Sequence, residues 1–481
     1  MGKALVMKFG GTSVGSAAAI AQLVEIVRNA RADWPRMVVV VSAMNGVTDL
    51  LLTGAQAAAA GDEARTTQIG REIRDRHMAA LSQLLDSAPG QAELATEAGL
   101  LVEAGVEEFL RLGHAVRVLG EASPRALDAI GALGERMSAP LVAAALAAAG
   151  VPARWVDAAR VIVTDTVHQA ASPDMEATAA RAEAIVRPLL EAGCVPVVTG
   201  FVGATPAGVV TTLGRGGSDF SAAILGVALQ AGEVWIWTDV DGVMTADPRV
   251  VPQARTLPEL TFREISELAF YGAKVLHPKT IRPVVERGLA LWVKNTFNPS
   301  NPGTRVARDD GATYGGVKAV TVIKGQCVIT LEGRGMMGIP GIAARTFGAV
   351  ARTGTSVAMI SQASSEQSIC FVVPLVAGGA VMSALQDEFR QELVRRDIDS
   401  VSASADSAVV TVVGAGMRHT PGIAGRVFGS LGQAGVNVVA IAQGSSECSI
   451  SLVVAAREAD DAVRAVHSLI VAGFVPPVTD P

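Results

Sequence analysis

Residues 4–13, Ala4-Leu5-Val6-Met7-Lys8-Phe9-Gly10-Gly11-Thr12-Ser13, decide the fold. A short aliphatic run ends in a lysine, a glycine pair makes the turn, and an Ala-rich helical stretch follows Ser16. This is the pattern of a buried strand feeding a helix whose N-terminus faces a ligand. Three further aliphatic runs read the same way: Met37 to Val41, Cys194 to Val198 and Val234 to Trp237. Small polar or glycine residues follow each of them, where an open α/β sheet places binding groups, at the carboxyl ends of its strands. The stretch from Asp49 to about Leu119 is rich in Ala, Leu and Glu at helical spacing and predicts helices packed beside or on that sheet.

The 481 residues are enough for about three folding units. A turn-rich stretch from Asn295 to Gly316 marks a boundary. Beyond it lies an internal repeat: residues 335–369 align without gaps on residues 416–450, with 18 identities in 35 positions. The shared core is Pro-Gly-Ile-Ala-x-Arg-x-Phe-Gly followed by Gln-x-Ser-Ser-Glu-x-Ser-Ile. Each copy reads strand, glycine loop, helix, strand, turn, strand, and Val328 to Leu331 and Val409 to Val413 supply the opening strands.

Composition narrows the function classes. Charged residues make up 18% of the chain and the formal net charge is −6, so no basic stripe is present to neutralise nucleic-acid phosphates. No run approaches the roughly 20 apolar residues of a membrane span. The four cysteines, Cys194, Cys327, Cys370 and Cys448, have no disulfide-like or zinc-like spacing, and a reducing cytoplasm is expected. The histidines are scattered singly, which gives no metal centre and no Ser-His-Asp triad. Gly333-x-Gly335-x-x-Gly338 fits a dinucleotide fingerprint, but no acidic residue stands about 20 positions on, and it reads as the repeat's own loop.

Four segments carry chemistry. In Lys8 to Ser16, Gly10 and Gly11 let backbone N–H groups approach an anion and Lys8 adds a full positive charge; the alternative is a plain strand–helix corner with a solvated lysine. In Thr212-Leu213-Gly214-Arg215-Gly216-Gly217-Ser218-Asp219, a second helix start carries a guanidinium able to grip a carboxylate or phosphate, although Asp219 also suits a helix cap. Thr238-Asp239-Val240-Asp241-Gly242 with Thr245-Ala246-Asp247-Pro248-Arg249 suits a ribose, a metal-bound phosphate or a base edge, and is equally an ordinary pair of turns. Gly272-Ala273-Lys274-Val275-Leu276-His277-Pro278 ends a helix before proline.

In this order the four segments resemble the aspartate kinases of the amino-acid kinase superfamily, and with two C-terminal ACT domains the resemblance covers nearly the whole chain. It is nearest the threonine-sensitive type often fused to homoserine dehydrogenase, without a dehydrogenase part in these residues. The resemblance implies an amino-acid kinase domain over residues 1–300 with a mainly parallel sheet between helices, a linker and first α+β ACT domain over 301–400, and a second over 401–481. It implies ATP- and Mg2+-dependent phosphorylation of L-aspartate on its β-carboxylate, the first step towards lysine, threonine and methionine. By the family pattern, Lys8, Arg215 and Asp219 serve the transfer, and Ser42, Thr48, Glu135, Arg215 and Ser218 hold aspartate. Lys8, Gly10, Gly11, Thr238, Asp239, Met244, Arg249, Lys274 and Val275 serve the nucleotide, with Met244 standing where many relatives have tyrosine. Gln362 and Gln443 are the matching effector positions, for threonine first and lysine second. A homo-oligomer, dimer or tetramer, is also implied. Two alternatives remain: a kinase acting on glutamate or acetylglutamate, and an amino-acid sensor built on an inactive kinase scaffold. Phosphoryl transfer mainly needs positioning and charge neutralisation, and an ionised carboxylate needs no general base to attack, so the absence of a histidine constellation fits.

Overall fold

A strand with no exposed position must be covered on both faces, and Leu5–Phe9 is buried throughout. In the computed structural model it is the fourth strand of an eight-stranded sheet. The order is Ala153–Val156, Val195–Thr199, Met37–Val41, Leu5–Phe9, Glu233–Thr238, Ala290–Asn295, Thr304–Ala307 and Glu259–Thr261. The first six run parallel, and Thr304–Ala307 returns antiparallel. Helix Ala17–Ala30 is capped by Ser16, whose side chain accepts from the Ala19 N–H. It presses Ile20, Leu23 and Val27 onto the sheet beside Phe9 and Val41. The predicted helical stretch is three helices, Val47–Ala59, Glu63–Leu84 and Gln91–Leu119, with a core of their own. The structure describes residues 3–85, 91–272, 276, 278–307, 316–362, 367–418, 420–444 and 447–471.

The predicted boundary from Asn295 to Gly316 is not all loop, because Thr304–Ala307 within it is a sheet strand. Four residues of strand between turn-forming neighbours give too short an alternation to stand out. One stretch, Pro124–Ala148, is long and apolar enough to cross a membrane by composition, and 89% of its apolar window is buried inside the protein.

The chain divides into two compact units that are not contiguous in sequence: residues 244–257 and 261–274 belong with residues 309–481 in the second. There the two repeat copies form one antiparallel six-stranded sheet. Its order is Met359–Gln362, Ser368–Pro374, Ala319–Glu332, Ser400–Val413, Ser449–Ala455 and Ala440–Gln443. The opening strands predicted at Val328 and Val409 are longer than expected, 14 residues each, because each serves both copies. Residues 326–332 pair with 400–407 in one half, and 319–323 pair with 409–413 in the other, with a register shift around Gln326. The helices of the first copy cover Ile329, Leu331 and Phe371; those of the second cover Val410, Val412 and Leu452. The segment 244–257 joins this unit through Ala246 and Val251, which lie in the second copy's core, and through the Val320 N–H, which donates to the Thr245 carbonyl at 2.9 Å.

Tight approach of loops in the first unit depends on Gly200, where an added Cβ would stand 2.6 Å from Ser218 Cβ and 2.9 Å from the Val41 carbonyl oxygen. Gly200→Ala is expected to destabilise by about 1–3 kcal/mol. Gly432→Ala, in an open helical position, should stabilise by about 0.5–1 kcal/mol. Denaturant unfolding of the two variants checks both.

Candidate active site

Hydrogen bonds carry the sheet ladder past the strand ends before the loops diverge. The Gly10 N–H donates to the Trp237 carbonyl at 3.1 Å, Ser42 N–H to Phe9 at 3.1 Å and Gly200 N–H to Val41 at 2.8 Å. The loops open around a cleft of about 340 Å³ lined by Lys8, Gly11, Ser42, Thr48, Glu135, Ser218 and Asp219, together with Asn45, Asp49 and Phe201.

Lys8 and Asp219 form an ion pair, Nζ to Oδ1 2.6 Å, with both side chains more than four-fifths buried. Asp219 sits in the first turn of helix Gly217–Ala228, where the helix end favours negative charge. Glu135 occupies the first turn of helix Leu133–Ala148 and is 3% exposed. Burial pushes its carboxyl up to about 8, opposed by hydrogen bonds from the backbone N–H groups of Ala43 and of Glu135 itself and by the charge of Lys8. Its Oε2 has no hydrogen-bond partner among the described residues. A buried polar atom without a partner is costly until a donor or cation arrives. The Ser138 hydroxyl donates to the Ser42 carbonyl at 2.7 Å and holds the Ser42 loop against the Glu135 helix.

The structure therefore brings Lys8, Gly11, Ser42, Thr48, Glu135, Ser218 and Asp219 onto one wall system. Gly10 lies beside Lys8, where a Cβ would stand 3.4 Å from Nζ. Arg215 is exposed, between Gly214 and Gly216, which do line the cleft. Thr238 ends the strand next to Leu5–Phe9 and Asp239 follows it, and the Thr238 hydroxyl donates to Asp239 at 3.2 Å. Met244 and Arg249 belong to the second unit, where Arg249 is exposed and paired with Asp247 at 2.6 Å. Lys274 and Val275 lie outside the described residues. Gln362 and Gln443 end equivalent edge strands, paired with Ile369 and Ile450, and both are exposed. Gln362 lines a second cleft of about 320 Å³ with Met336, Pro340, Gly341 and Ile342.

Sequence reasoning passed over Asn45, Asp49, Phe201 and Asp128. Asn45 and Asp49 follow the Met37–Val41 strand end, a signal present in the sequence. Asp128 is buried at 1% exposure with all its partners distant in sequence, and nothing local marks it.

The amino acid kinase family pattern matches residues 3–295, and the ACT domain pattern matches residues 329–389 and 410–469. The chain is 32% identical over 477 residues to the chloroplastic aspartokinase 1 of Arabidopsis thaliana, covering 96% of the chain and 79% of that protein. The chain belongs to the aspartokinase family. It is 38% identical over 472 residues to the chloroplastic bifunctional aspartokinase/homoserine dehydrogenase of Daucus carota, covering 96% of the chain and 50% of that protein. It thus spans about half the length of the bifunctional relatives it matches. E. coli aspartokinase III, solved with aspartate and ADP, superposes with a TM-score of 0.77 at 31% identity, covering 97% of this chain and 99% of that one. The same E. coli protein, solved with lysine and aspartate, gives the same values. Kinase-family membership and the ADP-bound relative support nucleotide use by the first unit.

Raising the Glu135 carboxyl in the folded state means that the unfolded chain releases this proton more readily, from its ordinary value near 4.5 up to about 8. The residue therefore lowers stability progressively as pH rises through that window. Glu135→Gln should gain stability relative to the parent between pH 5 and pH 8, with little difference at pH 4; thermal unfolding across pH measures this.

Proposed function

We propose that the chain transfers the γ-phosphoryl group of ATP to the β-carboxylate of L-aspartate, giving 4-phospho-L-aspartate and ADP, the entry reaction to lysine, threonine and methionine synthesis. One observation carries the reading: a single cleft holds a buried cation, Lys8, and a buried carboxyl group, Glu135, whose Oε2 has no hydrogen-bond partner among the described residues. That arrangement suits a small zwitterion beside a polyanion. Glu135 receives the substrate ammonium and Ser42, Thr48 and Ser218 contact the rest of the molecule. Arg215, exposed at the turn between two cleft glycines, reaches a substrate carboxylate. Lys8 meets the transferred phosphoryl group, and Asp219 offsets the lysine's charge until the nucleotide enters. The substrate carboxylate is ionised near neutral pH, so these residues position and neutralise.

The nucleotide is assigned to Gly10, Gly11, Thr238, Asp239, Met244, Arg249, Lys274 and Val275 on the family pattern. Among the described residues no group of three or more acidic, histidine or cysteine side chains forms a metal cage. Asp219, on the cleft wall, would hold Mg2+ delivered on the nucleotide phosphates, because Mg2+ is commonly held by one or two carboxylates plus substrate phosphates. The ion supplies charge neutralisation on those phosphates.

The ACT repeat provides feedback control by an amino acid. Threonine is the preferred effector and lysine the second, since the described residues around the Gln362 cleft carry no carboxylate to meet a lysine side chain. Helix Ile342–Arg352 begins at that cleft, and its N-terminus suits an effector carboxylate. A cytoplasmic homo-oligomer, dimer or tetramer, completes the reading.

Release of ADP from MgATP should depend on L-aspartate and not on L-glutamate, and Lys8→Ala should lower kcat by at least about 10²-fold while the thermal transition stays cooperative. Aspartate-independent release, or full activity in Lys8→Ala, overturns the assignment. Inhibition by L-threonine should weaken in Gln362→Ala and Gln443→Ala with uninhibited kcat unchanged; inhibition equal to the parent in both removes the effector site.

A further inference from the structure

Outside the cleft, the described residues of the first unit include one buried carboxylate that the reaction does not use. Asp128 lies in helix Pro124–Gly131 at 1% exposure, and donors from two other segments converge on it. His168 Nδ1 lies 2.5 Å from its Oδ2, and the Gln169 N–H donates to Oδ1 at 3.0 Å. The Thr212 hydroxyl donates to Oδ1 at 2.6 Å. Charge-assisted hydrogen bonds of this kind are stronger and geometrically stricter than neutral ones.

What Asp128 joins makes it more than a core satisfier. Thr212 is the last residue of strand Val210–Thr212, and the turn Gly214-Arg215-Gly216 begins two residues later. The Gln169 segment packs under that turn: the Ala171 N–H donates to the Thr212 carbonyl at 3.0 Å, and a Cβ on Gly214 would stand 2.8 Å from the Gln169 carbonyl oxygen. Gln169 takes φ +66°, a left-handed conformation that costs a non-glycine residue energy and needs support from its surroundings. On the other side, Asp128 precedes Glu135 by seven residues, two helical turns, along the nearly continuous helical stretch Pro124–Ala148.

We infer that Asp128, held by His168, Gln169 and Thr212, is a positioning residue that fixes the Arg215 turn at a set distance from Glu135, and so matches the cleft to the separation between the ammonium and carboxylate of its amino-acid substrate. The inference rests on the reading of the cleft as the aspartate site. It assigns no contact between Asp128 and substrate. Loosening the Asp128 links lets the turn carrying Arg215 drift while Lys8, Asp219 and Glu135 keep their own supports.

The test compares Asp128→Asn, Thr212→Val and Thr212→Ser with the parent, reading kcat, KM for L-aspartate and KM for MgATP, with direct calorimetric titration of L-aspartate. Thr212→Val keeps the shape and removes the hydroxyl; Thr212→Ser keeps the hydroxyl. Asp128→Asn and Thr212→Val should raise KM and Kd for L-aspartate by about tenfold or more, the scale of one lost hydrogen bond to a charged group, with KM for MgATP within about twofold of the parent. Thr212→Ser should restore the parent's values. Equal aspartate KM in parent, Asp128→Asn and Thr212→Val overturns the proposal, as does a parallel loss in both substrates that tracks thermal stability alone. A parent that neither binds nor phosphorylates L-aspartate overturns the functional reading itself, and the proposal with it.

Discussion

The first unit is organised around the cost of burying Glu135 with an open oxygen. Burial of this carboxyl outweighs its two backbone hydrogen bonds and the charge of Lys8, and the group holds its proton near neutral pH. The fold tolerates this because the neighbouring elements are locked. Gly134 lets the Ala43 loop approach so closely that a Cβ there would stand 2.6 Å from Ala43 Cβ, and Ser138 ties the Ser42 carbonyl to the same helix. A site that keeps such a group in place stores the electrostatic demand that its ligand satisfies. Lys8, paired with Asp219 across the same cleft, is the complementary half: a buried cation whose charge is balanced locally and is available to an incoming anion.

The second unit answers a different constraint. Each repeat copy alone is too small to bury much apolar surface, and the two solve this by sharing their longest strands. Since Ala319–Glu332 and Ser400–Val413 each pair within both halves of the sheet, neither copy's central strand can shift without disturbing the other's ladder. Gln362 and Gln443 end the two outer strands of that sheet. A ligand gripping one edge thus acts on a sheet common to both copies, a physical basis for control by a repeated module.

Much of this was legible in the sequence because local pattern and global role agreed. The four aliphatic runs are sheet strands within a residue or so of the positions read, since a buried parallel strand writes itself as an unbroken aliphatic run. Lys8, Ser42, Glu135 and Asp219 converge in space because each lies at or just past a strand's carboxyl end or opens a helix, places where chain topology alone concentrates function. The edge strand Ala153–Val156 and the next-to-edge strand Thr304–Ala307 were not read, being short and only partly buried. Asp128 was invisible because its meaning lies in His168, Gln169 and Thr212, far away in the chain. The assignment of residues 244–257 and 261–274 to the second unit was also illegible: Ala246 and Val251 are spaced like ordinary loop residues and declare themselves only against the sheet they cover.

In the proposed role of Glu135, a carboxyl pushed up to about 8 by burial gives up its proton when the substrate ammonium binds beside it. Titrating L-aspartate calorimetrically into the protein at pH 7, in buffers of different ionisation enthalpy, counts the protons exchanged on binding. The account predicts release of close to one proton per aspartate bound, falling towards zero above pH 9 and absent in Glu135→Gln. Binding heats that are independent of the buffer at pH 7 in the parent protein would contradict it.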